Sequence, residues 1–143
     1  MKRVMLSGLV MLFSIGMMAQ STNDKLPKTA QDFISKHFSN LQTEEVKENS
    51  SWEIWEDEKY EVRLSNGLQL DFDENGNIIE IDSQNNEAIP EAAIPASITT
   101  YLKSNHPDAK IIGWEKQGKG QEVELSNGIE VEFDNNGKFL KID

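Results

Sequence analysis

The segment from Asp71 to Asp82 reads DFDENGNIIEID and carries the residue types of a calcium loop. Asp71, Asp73 and Asn75 fall at positions 1, 3 and 5 of an EF-hand loop, Gly76 at 6, and Asp82 at 12, where that loop uses a bidentate Glu. In an EF-hand such a loop lies between two helices. Here the flanks alternate apolar and polar: Tyr60, Val62 and Leu64, then Leu68, Leu70 and Phe72. That is the period of a strand. The expectation is therefore an Asn-Gly hairpin turn whose acids bond to its own backbone. No residue is assigned as a metal ligand on this pattern, and no cofactor is called for.

A second candidate chemistry is a concentration of like charge. If the hairpins are paired by parity, Glu124 falls opposite Glu130 and Glu122 opposite Glu132, all four on the face away from the core. Like charges directly opposite one another are unfavourable. Such a face suits a basic partner or divalent cations; otherwise it serves solubility. The corresponding hairpin upstream places Arg63 opposite Gln69 and Glu61 opposite Asp71, a milder arrangement. A third candidate is aromatic. Trp52 and Ile54 share one strand face, which turns Trp55 to the other, and an exposed tryptophan is an efficient partner anchor. Trp114 shares parity with Ile112 and is expected in the core.

Catalytic patterns are missing. His37 and His106 lie near the ends of predicted helices, where a cation suits the helix dipole. Neither has metal-ligand spacing. There is no G-x-S-x-G, no phosphate-binding glycine loop and no cysteine. The chain is read as a non-enzyme.

These residues must be held by a repeated framework. Residues 60–82 and 121–143 align at an offset of 61 with 12 of 23 positions identical. Leu26-Pro27 and Ile94-Pro95 match further upstream. The apolar stripe Leu26, Ala30, Phe33, Ile34, Phe38 predicts a helix, as does Ile94, Ile98, Tyr101, Leu102, with Pro107 stopping the second. Each helix leads into four strands. A three-residue Ser65-Asn66-Gly67 loop pairs Leu64 with Leu68, Val62 with Leu70 and Tyr60 with Phe72, which gathers the apolar side chains on one face. A two-residue loop would mix the faces, so the turn is expected to be type I with a bulge at Gly67. Ser126-Asn127-Gly128 should do the same. The first strand is placed at about 110–117 in the second unit and within about 45–56 in the first. The fold class is α+β: two tandem helix-then-four-antiparallel-strand repeats, about 26–82 and 94–143 with a linker at 83–93. Together they form a two-layer helix/sheet domain with one open sheet face.

Met1-Lys2-Arg3, the apolar run Val4 to Met18 and the Ala19-Gln20 junction form a secretory signal peptide, assigned to residues 1–19. The run is too short to span a bilayer. The chain has 25 acidic and 14 basic side chains and a formal charge of −11. Cleavage removes two basic residues and no acid, leaving a single domain at 20–143 with a charge of −13. That balance opposes binding to nucleic acid or to anionic lipid. Absence of cysteine excludes a disulfide scaffold and thiol chemistry.

The repeated strand, S-N-G turn, strand ending in Phe-Asp, N-G turn and closing Ile-Asp, in Tyr60–Asp82 and Gln121–Asp143, resembles the PepSY-like family of exported bacterial proteins. That family is similar in fold to beta-lactamase-inhibitor protein. The resemblance implies a curved sheet and a protein-binding open face; it carries no inhibitory loop residue by residue. The function expected is an exported, periplasmic, non-catalytic module that binds a protein or peptide. The partner candidates are Trp52, Trp55, Glu122, Glu124, Glu130 and Glu132. The alternative is divalent-cation binding, calcium above all, at the acidic hairpins.

Overall fold

The structure, a computed structural model, describes residues 23–49 and 57–143. Trp52, Trp55 and the segment assigned as a signal lie outside these residues. A 3-10 turn at Asn23–Lys25 leads into helix α1, Lys28–His37, and strands β1 (Thr43–Glu48), β2 (Tyr60–Leu64), β3 (Leu68–Phe72) and β4 (Ile78–Ser83). A second 3-10 turn, Glu91–Ala93, leads into α2, Ala96–Asn105, and β5 (Ile111–Gln117), β6 (Gly120–Leu125), β7 (Glu130–Asp134) and β8 (Phe139–Ile142). All eight strands form one antiparallel sheet in sequence order, so β4 pairs with β5 and the edges are β1 and β8.

Both helices begin on a proline. Pro27 and Pro95 stand at the N-cap, where a missing N–H costs nothing, and their carbonyls accept from Gln31 and Thr99. Phe38 and His106 close the two helices by donating their N–H groups to Ile34 and Leu102. Ala30 and Ile34 of α1, with Ile98 and Leu102 of α2, pack on the sheet. Phe72 meets Phe33 edge-on, and Phe133 meets Tyr101 in the same way. The core is the set of strand residues of one parity: Val62, Leu64, Leu68, Leu70, Phe72, Ile81, Val123, Leu125, Val131 and Phe133.

The hairpin registers follow parity. Tyr60 faces Phe72 and Val62 faces Leu70, and Gly67 adopts φ +88°, as a three-residue bulged loop requires. Gly76 has a second reason to be glycine: a Cβ there would come within 2.9 Å of the Ala30 backbone nitrogen. The turn after β3 is thereby locked against the start of α1. Trp114 is buried as expected, and its indole N–H donates to Gln121 at 3.0 Å. The connection from β4 to α2 is more than a spacer, since Ile89 is buried and donates its N–H to Ile111. The opposite parity makes up the other face of the sheet, which no described element covers.

Candidate acidic face

On the face that no described element covers, the strand registers align side chains into rows. One row crosses the whole sheet: Lys47, Glu61, Asp71, Glu80, Glu115, Glu122, Glu132, Lys141. Six carboxylates stand on six adjacent strands with a lysine at either end. Neighbouring strands lie about 4.8 Å apart, so the acidic run is about 24 Å long. The next row reads Glu45, Arg63, Gln69, Asp82, Gly113, Glu124, Glu130.

Cations neutralise only the margins. Lys47 reaches Glu61 at 3.3 Å, Lys141 reaches Glu132 at 3.1 Å, and Arg63 pairs with Glu45. Among the described residues no ion pair reaches Asp71, Glu80, Glu115 or Glu122. The electrostatics follow. Burial, then the charges of Glu58 and Glu80, push Asp71 up to about 8; Gln69, donating at 3.2 Å, opposes that only partly. Burial, then Glu115, Asp82 and Glu58, push Glu80 up to about 7. Burial, with Glu130, Glu115 and Glu132 around it, also raises Glu122. Asp71 is only 3% exposed although it belongs to the face that no described element covers.

Two places on this face gather oxygen atoms. Glu58, Glu61 and Asp71 can each offer one carboxylate oxygen with all three within 4.8 Å of one another. Calcium holds its oxygens at about 2.4 Å, so ligand oxygens on one ion lie no more than about 4.8 Å apart. The three therefore fit a single ion. The second place is a notch at Gly113. A Cβ there would stand 3.5 Å from Glu124 Oε2 and 3.9 Å from Asp82 Oδ1. Glu80, Glu115 and Glu122 complete its lining.

Of the residues singled out from sequence, Glu122 faces Glu132 and Glu124 faces Glu130. The first pair lies in the long row and the second in the row beside it. The sequence reading missed Glu58, Glu80 and Glu115, and treated Glu61 and Asp71 as mild. Parity alone was enough to put Glu80 and Glu115 on this face; what it lacked was the β4–β5 register that makes them neighbours. The calcium-loop lookalike divides between two roles. Asp71 joins the row, whereas Asp73 caps its own turn by accepting from the N–H groups of Asn75 and Asn77, both at 2.9 Å. Asp134 does the same for Asn136 and Lys138.

The family described as "Putative beta-lactamase-inhibitor-like, PepSY-like" matches the chain twice, at residues 18–80 and 58–141. The chain belongs to this family. Three solved structures share the PepSY-like chain's fold. A protein of Bacteroides thetaiotaomicron described as a "putative calcium-regulated periplasmic protein" is 38% identical, with 84% of this chain and 91% of that one covered and a TM-score of 0.75. Two proteins of Bacteroides vulgatus, each described as a "putative periplasmic protein", are 36% and 34% identical. The first covers 84% of this chain and 91% of its own at a TM-score of 0.74; the second covers 87% and 96% at 0.71. No curated protein matches the PepSY-like chain. Among the described residues no helix is long and apolar enough to cross a membrane.

Proposed function

We propose that this PepSY-like protein is an exported, non-catalytic binding protein of the periplasm whose acidic sheet face takes divalent cations, calcium first. The observation that carries the reading is the carboxylate row. Its ends are neutralised by lysines, while its buried middle holds acids whose ionisation costs energy until a cation arrives. Carboxylate oxygen is the ligand calcium prefers, and an exported protein meets it at concentrations suited to loose sites. The description of the Bacteroides thetaiotaomicron relative as calcium-regulated supports the same reading. A helix-then-four-strand order that occurs twice, and a family match that occurs twice, support the division into two repeats.

Thermal unfolding with and without calcium tests the proposal. About 10 mM calcium should raise Tm at pH 7.5 by several degrees, and magnesium by less. Glu61→Gln with Asp71→Asn should abolish most of that rise. An unchanged Tm in the unmodified chain would reject it.

The same row supports a second reading, binding of a basic protein or peptide on this face. The length of the row supports it, since about 24 Å of aligned carboxylates exceeds what one ion uses. Such binding should weaken steeply with salt. Binding indifferent to ionic strength would dismiss it.

A further inference from the structure

Both helices meet the sheet through an edge-on pair of rings, but only the second repeat completes the layer. Phe33 of α1 stands 6.0 Å from Phe72, and Tyr101 of α2 stands 5.6 Å from Phe133. In the second repeat a third ring, Phe139, stacks on Tyr101 at 4.7 Å with the planes 10° apart. The residue 61 positions before Phe139 is Ile78, which stands opposite Phe72 as Phe139 stands opposite Phe133. Isoleucine has no ring face to lay on Phe33. In the first repeat a cavity of about 350 Å³ opens there, with Phe33, Ile78 and Gly76 in its lining. Small-molecule sites run from about 300 to 1,000 Å³, so it is of a size to hold a ligand.

The lining of the cavity also carries cations, in a chain of net charge −11. Lys36 and His37 come from the end of α1, and Lys116 comes from β5. Burial, then the charge of Lys36, lowers the pKa of His37, so at neutral pH the charge is that of the two lysines. Among the described residues neither lysine has an ion pair. The one acid in the lining, Asp32, is paired with Lys28. The helix dipole is reason enough for Lys36 at the end of α1, but it does not account for Lys116. The Lys116 ammonium lies 5.9 Å from the Trp114 ring, a contact that gives its N–H donors no oxygen. The second repeat has neither cation: Ser104 stands in place of Lys36, and β8 is an edge with no strand beside it to supply a lysine.

We propose that this cavity binds a small aromatic carboxylate. Its ring lies on Phe33 as Phe139 lies on Tyr101, and its carboxylate is held by Lys36 and Lys116. The missing ring selects an aromatic body, since the second repeat shows what the same framework packs there. The two lysines select an anion, and a charge-assisted bond to a carboxylate is stronger than a neutral one. The cavity lies on the helix side of the sheet, so it neither uses nor competes for the carboxylate row.

The test titrates 3-phenylpropionate into the isotopically labelled chain, with 3-phenylpropanol as its neutral twin. Amide shifts should concentrate on Phe33, Lys36, Ile78 and Lys116. The acid should bind at least about fivefold more tightly than the alcohol. Lys36→Gln with Lys116→Gln changes two exposed side chains, should leave Tm in place, and should erase that preference while both compounds still bind. Ile78→Phe supplies the ring from the chain itself and should block both compounds. Should that variant fail to fold, the lysine pair still decides the matter. Three results would overturn the proposal: no shifts at these residues up to about 10 mM acid, equal binding of acid and alcohol, or a preference for the acid that survives in the lysine variant.

Discussion

The two acidic hairpins, β2–β3 and β6–β7, lie in one sheet and hold the same register, yet their acids live in different surroundings. In β6–β7 two pairs of glutamates stand directly opposite each other, Glu122 with Glu132 and Glu124 with Glu130. Glu124 and Glu130 are exposed, and Lys141 neutralises Glu132. In β2–β3 a single pair, Glu61 and Asp71, stands opposite, but Asp71 is buried and Glu58 and Glu80 crowd it. Counting like charges points to the second hairpin; weighing desolvation points to the first. Water screens exposed charge cheaply, whereas a buried carboxylate has to find a proton or a cation.

The largest expected effects lie on the covered face, where the hairpins should behave alike. Phe72→Ala and Phe133→Ala each remove a fully buried ring at the same register position. Each should cost about 3–5 kcal/mol in chemical denaturation. A cost below about 1 kcal/mol at either site would break the equivalence.

On the acidic face the hairpins should diverge. Asp71→Asn removes a charge that is costly to bury and should stabilise the calcium-free chain at pH 8, by about 1–3 kcal/mol. Glu124→Gln should change stability by less than about 0.5 kcal/mol. If the two substitutions act equally, burial does not distinguish the hairpins.

The two hairpins should also differ in their response to pH. Asp71 and Glu80 have folded values above their unfolded ones, so the folded state binds more protons. Their stabilising share is complete below about pH 4 and is lost as pH rises through about 7 and 8. Calcium-free stability should therefore decline from about pH 4 to about pH 8 and level off above it. Asp71→Asn with Glu80→Gln should flatten that decline, while Glu124→Gln should leave it in place. The turns carry a modest effect: Asp134→Ala removes the bonds to Asn136 and Lys138 and should cost about 1 kcal/mol by thermal unfolding.

Much of this fold was legible in sequence because local chemistry decides it. Asn-Gly turns set the parity of each hairpin, and parity decides which side chains reach the core. Pro27 and Pro95 mark both helix starts. The candidate site was only half legible. Glu122, Glu124, Glu130 and Glu132 belong to one tight hairpin, so the turn alone positions them. Glu80 and Glu115 are brought together by a connection that contains a 3-10 turn and a helix, and no local rule fixes register across such a distance. The burial of Asp71 is likewise a tertiary property. The placing of Trp52 and Trp55 as partner anchors falls outside the described residues and stays a proposal.

Isothermal calorimetry of calcium binding at pH 7, repeated in two buffers of different ionisation heat, decides whether the acidic row takes the ion. The expected result is binding with a dissociation constant of about 0.1–1 mM, protons released on binding because Asp71 and Glu80 still hold them, and loss of both signals in a Glu58→Gln, Glu61→Gln, Asp71→Asn variant. No heat up to about 10 mM calcium, or binding that persists unchanged in that variant, would contradict it.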